Sequence, residues 1–209
     1  QRDINYDALY AYFTRDYIPS PDSIYANIHK LPPAHILVCS PKSSSLKRYW
    51  HLQNAGSSPD SGKTEEDYLA QLEALLKESV SLRMVSDVPV GVLLSGGVDS
   101  STVLAMMAQI SDQPVKTFSI GSGAADYDEL KYARMVAERF GTDHRELIVQ
   151  PDALEIVPTL VEGYDEPFSD ASSVPTYYVS KLAREEVKVC LAGDGGDEIF
   201  AGYDWYSHW

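Results

Sequence analysis

Two short stretches hold the residues whose types and spacing could do chemistry. The first, "LLSGGVDSS" at 93–101, places Ser95, Gly96, Gly97, Asp99, Ser100 and Ser101 in one turn. The second, "GDGGDE" at 193–198, gathers Asp194, Asp197 and Glu198. In the first, Gly96 and Gly97 let the backbone come close to an anion, where backbone N–H groups and the positive end of a following helix can meet it. The hydroxyls of Ser95, Ser100 and Ser101 add donors. This is not a Walker A loop, because the lysine is absent and the spacing is shorter. A lysine there draws off charge at the γ-phosphate. A loop without one suits a nucleotide cut between its α- and β-phosphates, with pyrophosphate leaving as a unit. Asp99 cannot face phosphate without repulsion, and the second stretch adds more negative charge. Mg²⁺ takes one or two carboxylates together with phosphate oxygens and water, so Asp99 and Asp197, one from each loop, are the expected ligands.

Each stretch alone has a plainer reading. A Ser-Gly-Gly turn is an ordinary strand-to-helix connection, and an acidic Gly-rich loop is a solvated turn or a calcium loop. The pair is harder to dismiss, because the surrounding pattern puts both at the carboxyl ends of strands and lets both open helices. "PVGVLL" (89–94), "VKTFSI" (115–120), "HRELIV" (144–149) and "VKVCLA" (187–192) are apolar runs of strand length. Helical patterns separate them at 99–110, at 127–141 ending on Gly141, and in two segments within 151–184. Pro158 disturbs the first of those two segments, and "DEPFSDASSVP" loops between them. Alternation of this kind predicts an α/β fold, a parallel doubly wound sheet with helices on both faces and right-handed crossovers. Ligands of such sheets bind beyond the carboxyl ends of the strands, where the winding reverses. A spatial order of third, second, first, fourth strand would bring both loops to one crevice.

Ahead of the first strand, Thr64 and Asp67 form a capping-box signal, and Leu69, Leu72, Leu76 and Val80 fall on one helical face. The Gly/Ser/Pro-rich run within 51–63 reads as a linker. Residues 1–50 differ in character: "NYDALYAYFTRDY" has helical spacing, and "AHILVCS" and "LKRYW" form a hairpin around "PKSSS". The division is therefore 1–50, a linker at 51–63, and 64–209.

Composition narrows the partners. Seventeen Lys and Arg against 31 Asp and Glu give a net charge of −14, the wrong sign for a nucleic-acid partner. No apolar run approaches a membrane span and no signal peptide is present, so no membrane partner is expected. Cys39 and Cys190, far apart in sequence, fit a reducing, cytoplasmic compartment. His144 reads as a surface residue rather than a ligand, and the aromatic ending (Phe200, Tyr203, Trp205, Tyr206, Trp209) as core or interface.

At these residues the chain resembles a known family. "SGGVDSS" resembles the pyrophosphate loop of the N-type ATP pyrophosphatases. "LAGDGGDEIFAGY", "TFSIG", "YDELKYARMVAERFGTDHRELIV" and "YDEPFSDASSVPTYYVSKLAREEVKV" narrow the likeness to the synthetase domain of glutamine-hydrolysing asparagine synthetases. The likeness is close over 64–209. Residues 1–50, with "KLPPAH" and "YW", resemble the closing segment of that family's glutaminase domain. The resemblance implies adenylation of the aspartate side-chain carboxylate by ATP to β-aspartyl-AMP and pyrophosphate, then amination by glutamine-derived ammonia. It implies that Leu93 and Ile120 flank adenine, that Ala192 and Gly193 lie near the nucleotide, and that the stretch from Ser95 through Gly96, Gly97 and Asp99 to Ser100 holds pyrophosphate. It gives Asp99 and Asp197 to Mg²⁺ and makes Asp194 and Asp197 the catalytic acids.

Two departures leave the acceptor open. Asp194 stands where the family carries a glutamate involved in forming the acyl-adenylate, and Ala192 where a serine is frequent. Relatives with this fold amidate sugars or peptides, or close β-lactams. A GMP or NAD synthetase and a non-catalytic nucleotide-binding module are the other readings. The intact Asp99 and Asp197 speak against the module. The chain begins Gln1-Arg2 and Cys39 lies in an expected strand, so the glutaminase nucleophile is expected elsewhere, as is the family's later lysine; this stretch is read as a fragment that binds Mg-ATP weakly without turnover. A homodimer of the full-length enzyme is left open.

Overall fold

The structure is a computed structural model that describes residues 2–52, 62–121, 129–149 and 153–208. Most of the expected linker, the start of the helix expected at 127 and Trp209 lie outside the described residues. In chain order the elements are α1 (Tyr6–Arg15), β1 (His35–Ser40), β2 (Ser43–Arg48), α2 (Glu65–Met84), β3 (Val90–Leu93), α3 (Val98–Ile110) and β4 (Lys116–Gly121). Then come α4 (Leu130–Phe140), β5 (Asp143–Ile148), α5 (Ala153–Tyr164), α6 (Ser173–Ala183), β6 (Val189–Leu191) and α7 (Gly196–Phe200).

The chain forms two compact units, Gln1–Ser61 with Asp152–Ser173, and Gly62–Pro151 with Val174–Trp209. In the first, Asn5 caps α1 by accepting from the N–H groups of Asp7 and Ala8. Ala8, Ile18 and Ile24 make its small core. β1 and β2 pair antiparallel from His35 with Arg48 to Ser40 with Ser43. Pro158 does not end α5; the helix runs through it to Tyr164, with one backbone donor missing. Residues 152–173 group with this unit, not with the sheet on either side of them in sequence.

The second unit holds the four-stranded sheet in the order β5-β4-β3-β6, with every pairing parallel. That is the expected order of third, second, first and fourth strand. One face packs Val92 and Leu94 against Leu104 and Met107 of α3 and Ala133 and Ala137 of α4. The other packs Phe118 against Val179 and Ala183 of α6 and Val187. Burying each large apolar side chain contributes about 1.5–3 kcal/mol, enough to fix which face of each helix turns inward. The capping box at Thr64 and Asp67 is formed, with each residue bonded to the other's backbone N–H. The apolar face expected along α2 is only half used: Val80 is buried, but Leu69 is 56% exposed. α2 packs against the 13-residue α3, and a 20-residue helix outruns it, so only its later half finds core.

His144 is not a surface residue. Its side chain is 14% exposed, with Nδ1 2.8 Å from Thr117 Oγ1 and Nε2 3.0 Å from Glu146 Oε1. Burial works against the Glu146 carboxylate, yet the Arg134 guanidinium and His144 outweigh it and hold its pKa below the usual glutamate value. The histidine ties β4 to β5, which the neighbourhood of a single strand could not reveal. Nor do the described residues of the aromatic ending form core. Tyr203 stacks on Trp205 at 4.2 Å, but Phe200, Trp205 and Tyr206 remain exposed.

Candidate active site

β3 delivers the first loop. Beyond Leu93, the Leu94 N–H donates to the Phe118 carbonyl at 2.8 Å, and the buried Ser119 hydroxyl donates to the Leu94 carbonyl. The backbone then turns through Gly96 at φ 86°, a conformation that favours glycine. A side chain there would also collide with α4, because a methyl group on Gly96 would lie 2.5 Å from the Ala133 nitrogen. Gly96 therefore shapes the turn and does not itself line the cavity described below. Gly97 is the N-cap of α3 and brings no side-chain cap, so the helix's first N–H groups meet no capping side chain. The loop is tied internally instead. Ser95 and Ser100 hydroxyls lie 2.9 Å apart, and Ser95 Oγ accepts from the Gly97 N–H at 3.2 Å. Ser101 Oγ is buried without a hydrogen-bond partner among the described residues, and Ser101 does not line the cavity described below.

β6 delivers the second loop. Because β6 pairs directly with β3, the two loops leave neighbouring strands at the same end of the sheet. They meet at Gly193, where a methyl group would lie 2.8 Å from Asp99 Cβ and 2.9 Å from the Ser100 nitrogen. Gly195 takes φ 90° in the turn into α7.

Between the loops lies a cavity of about 750 Å³, within the ~300–1,000 Å³ usual for small-molecule sites. Ser95, Gly97, Asp99 and Ser100 line one side, and Ala192, Gly193, Asp194 and Asp197 another. Leu93 and Ile120, at the ends of β3 and β4, supply apolar wall together with Phe118 and Val179. Ten of the eleven residues that the resemblance assigns to the site thus share one cavity, and Gly96 supports it from behind. Glu198 does not line it. Its carboxylate accepts from the Tyr203 hydroxyl at 2.8 Å, which pushes the Tyr203 pKa up to about 12.

The sequence pattern passed over Ser119, Glu129, Leu130, Val179 and Gly202, which also line the cavity. Ser119 carried a signal, being polar in an apolar strand run. Glu129 stands at the N-cap of α4, just before an apolar helical run. Val179 comes from α6, and no local pattern announces a contact made across the sheet.

The electrostatics are one-sided. Among the described residues no Lys or Arg lines the cavity, whereas Glu129, Asp99, Asp194 and Asp197 do. Asp99 and Asp197 accept no side-chain hydrogen bond from the described residues, and neither is in a salt bridge among them. Among the described residues no cluster of three or more His, Cys, Asp or Glu could hold a metal by itself. Two free carboxylates on one cavity with an uncapped helix start fit a hard cation that takes its remaining ligands from phosphate and water, as Mg²⁺ does.

Comparison with known proteins places the chain in a family. The asparagine synthase family model matches residues 71–209. A protein of Methanocaldococcus jannaschii provisionally named asparagine synthetase (glutamine-hydrolyzing) 2 is 40% identical over 97% of this chain and 39% of its own length. Asparagine synthetase (glutamine-hydrolyzing) 1 of Bacillus subtilis is 33% identical over 99% of this chain and 32% of its own. The chain therefore spans roughly a third to two fifths of the length of these relatives. Among solved structures, an NH3-dependent NAD synthetase from Campylobacter jejuni covers 68% of this chain and 61% of its own, at 13% identity and TM-score 0.44, a likeness too distant to carry an argument. Since the family match takes in the whole sheet and both loops of the cavity, the chain belongs to the asparagine synthase family.

Proposed function

We propose that this chain is the nucleotide-binding part of an enzyme that makes asparagine from aspartate at the expense of ATP. The meeting of the two loops at Gly193 and Asp99 carries the reading, because it puts an anion-binding helix start and two carboxylates on one cavity. In the first step an oxygen of the aspartate side-chain carboxylate attacks the α-phosphorus. The bond from that phosphorus to the bridging oxygen breaks, pyrophosphate leaves, and β-aspartyl-AMP forms. In the second, ammonia derived from glutamine attacks the acyl carbon, AMP leaves, and the nitrogen gives up a proton. The first step is needed because a carboxylate oxygen is a poor leaving group and AMP is a good one.

Leu93 and Ile120 hold the adenine between them, with Ala192 and Gly193 beside the nucleotide. Ser95, Gly97, Ser100 and the first N–H groups of α3 hold the departing pyrophosphate, where negative charge grows. Asp99 and Asp197 would hold Mg²⁺, which supplies charge neutralisation at the phosphate oxygens. Asp194 faces the acyl-adenylate. Residues 1–50 are the closing segment of a glutaminase domain. Among the described residues no helix is long and apolar enough to cross a membrane.

Asp194 and Ala192 favour a second reading, in which a related carboxylate replaces aspartate as acceptor. Exchange of labelled pyrophosphate into ATP by the full-length protein, tested with aspartate and a panel of other carboxylates, separates the two. Exchange that requires aspartate supports asparagine synthesis. Exchange with another acid alone moves the assignment to that acid, and no exchange with any acid reduces the chain to a nucleotide-binding module.

A further inference from the structure

Three glycines of the second loop region stand close together in sequence but lack side chains for different reasons. Gly195 has φ 90°, and a methyl group on it would meet nothing within 4 Å. Its need is conformational. Gly196 and Gly202 are not in the left-handed region, so their backbones would accept alanine. Space is what they lack. A methyl group on Gly196 would overlap Asp99 Oδ2 and lie 2.5 Å from Asp99 Cγ. One on Gly202 would overlap Asp197 Oδ1 and lie 3.0 Å from Asp197 Cγ. The Gly202 N–H also donates to the Asp197 carbonyl at 3.1 Å, which fixes that glycine under the carboxylate it clears.

We propose that Gly196 and Gly202 are positioning residues, one for each acidic ligand: their bare α-carbons leave the room in which the Asp99 and Asp197 carboxylates reach the cavity wall. Gly196 acts from the second loop on the carboxylate of the first, so the loops are matched as a pair. Gly202 acts within its own segment. The function of the two positions rests on the reading of Asp99 and Asp197 as holders of Mg²⁺ and pyrophosphate; the steric pairing does not.

The experiment has two arms in the full-length protein. In the first, thermal unfolding is measured without nucleotide or metal for Gly202→Ala, Asp197→Ala and the double variant, and likewise for Gly196→Ala with Asp99→Ala. Each glycine change should lower the midpoint in the native background and cost little once its aspartate has been shortened. Equal loss in both backgrounds overturns the pairing. Should a single glycine variant fail to fold, recovery of folded protein in the double variant supports the pairing, and failure of both overturns it. In the second arm, pyrophosphate exchange is titrated with Mg²⁺. The half-saturating concentration in Gly202→Ala and Gly196→Ala should rise about tenfold or more, with the plateau rate largely kept. A lowered plateau at unchanged half-saturation overturns the positioning role. Absence of exchange in the native enzyme would sink the proposed function while leaving the first arm to decide the pairing.

Discussion

Gly91 on β3 and Phe118 on β4 face each other so closely that a methyl group on Gly91 would lie 2.8 Å from Phe118 Cε2 and 3.0 Å from the Lys116 carbonyl oxygen. The aromatic ring fills the space that a side chain on β3 would take, and Phe118 is also among the residues that line the cavity. Gly91→Ala should destabilise the full-length protein by about 1–3 kcal/mol through overpacking. Phe118→Leu alone should also destabilise it, but the double variant should lose less than the sum. Urea unfolding midpoints of the four proteins check this, and strict additivity would show that the two residues do not compete for space.

The Ser100 hydroxyl is buried and holds the first loop together. It lies 2.9 Å from Ser95 Oγ and 3.3 Å from both the Ser95 nitrogen and the Gly97 carbonyl. Ser100→Ala removes these ties without adding bulk. Stability should fall by about 1–2 kcal/mol, and ATP should bind more weakly because the loop is no longer preset. Calorimetric unfolding and nucleotide titration of the same variant measure the two effects separately.

Charge, not shape, is what Asp99 and Asp197 are proposed to supply. Asp99→Asn and Asp197→Asn should each slow aspartate-dependent pyrophosphate exchange by roughly a hundredfold or more, while thermal unfolding without ligand changes little. Exchange at near-native rates in both variants would place the metal ligands elsewhere.

At the opposite end of the strands, Lys116 Nζ lies 2.8 Å from Asp143 Oδ2 and also pairs with Glu186, which in turn meets Arg145 at 3.0 Å. The hydrogen bond from Lys116 holds the Asp143 pKa below its usual 3.8. Its bonds to Asp143 and Glu186 hold the Lys116 pKa above its usual 10.5. For Asp143 the folded pKa is depressed, so its contribution is present above the unfolded value and is lost as pH falls through the folded one. For Lys116 the folded pKa is raised, so its contribution is present below 10.5 and is lost as pH rises through the folded one. Both groups are about a third or more exposed, and screening keeps each pair within about 1 kcal/mol. The stability gap between native protein and Asp143→Asn should therefore be small at pH 7, close in acid, and shrink in 1 M salt. Denaturant midpoints across pH test this, and a gap that widens in acid would contradict the sign.

The chemistry of this chain was legible where it depends on local pattern. Strand-length apolar runs ending in Gly-rich loops gave the sheet and its order, and with the family resemblance they gave ten of the residues that line the cavity. Tertiary contact was the blind spot. Leu69 carries the right helical spacing but extends past the core, so periodicity overstated its burial. His144 looked solitary because its partners are Thr117 on the neighbouring strand and Glu146 two residues along its own. Gly96 looked like a ligand-facing glycine, yet its neighbour is α4. The grouping of 152–173 with the N-terminal unit also depends on contacts that no local composition marks.

The second loop hangs from β6, a strand of three residues that pairs with β3 through Val189, Cys190 and Leu191. Elements with so few backbone bonds open by local fluctuation well before the whole fold does. Each opening would detach Asp194 and Asp197 from the cavity while β3, β4 and β5 stayed paired. Cys190 sits within that strand, half-buried, with burial pushing its thiol pKa up and so slowing its reaction. With the exposed Cys39 replaced by serine, the rate at which Cys190 takes up a thiol reagent should report how often the strand lets go, and ATP should slow it by holding the two loops together.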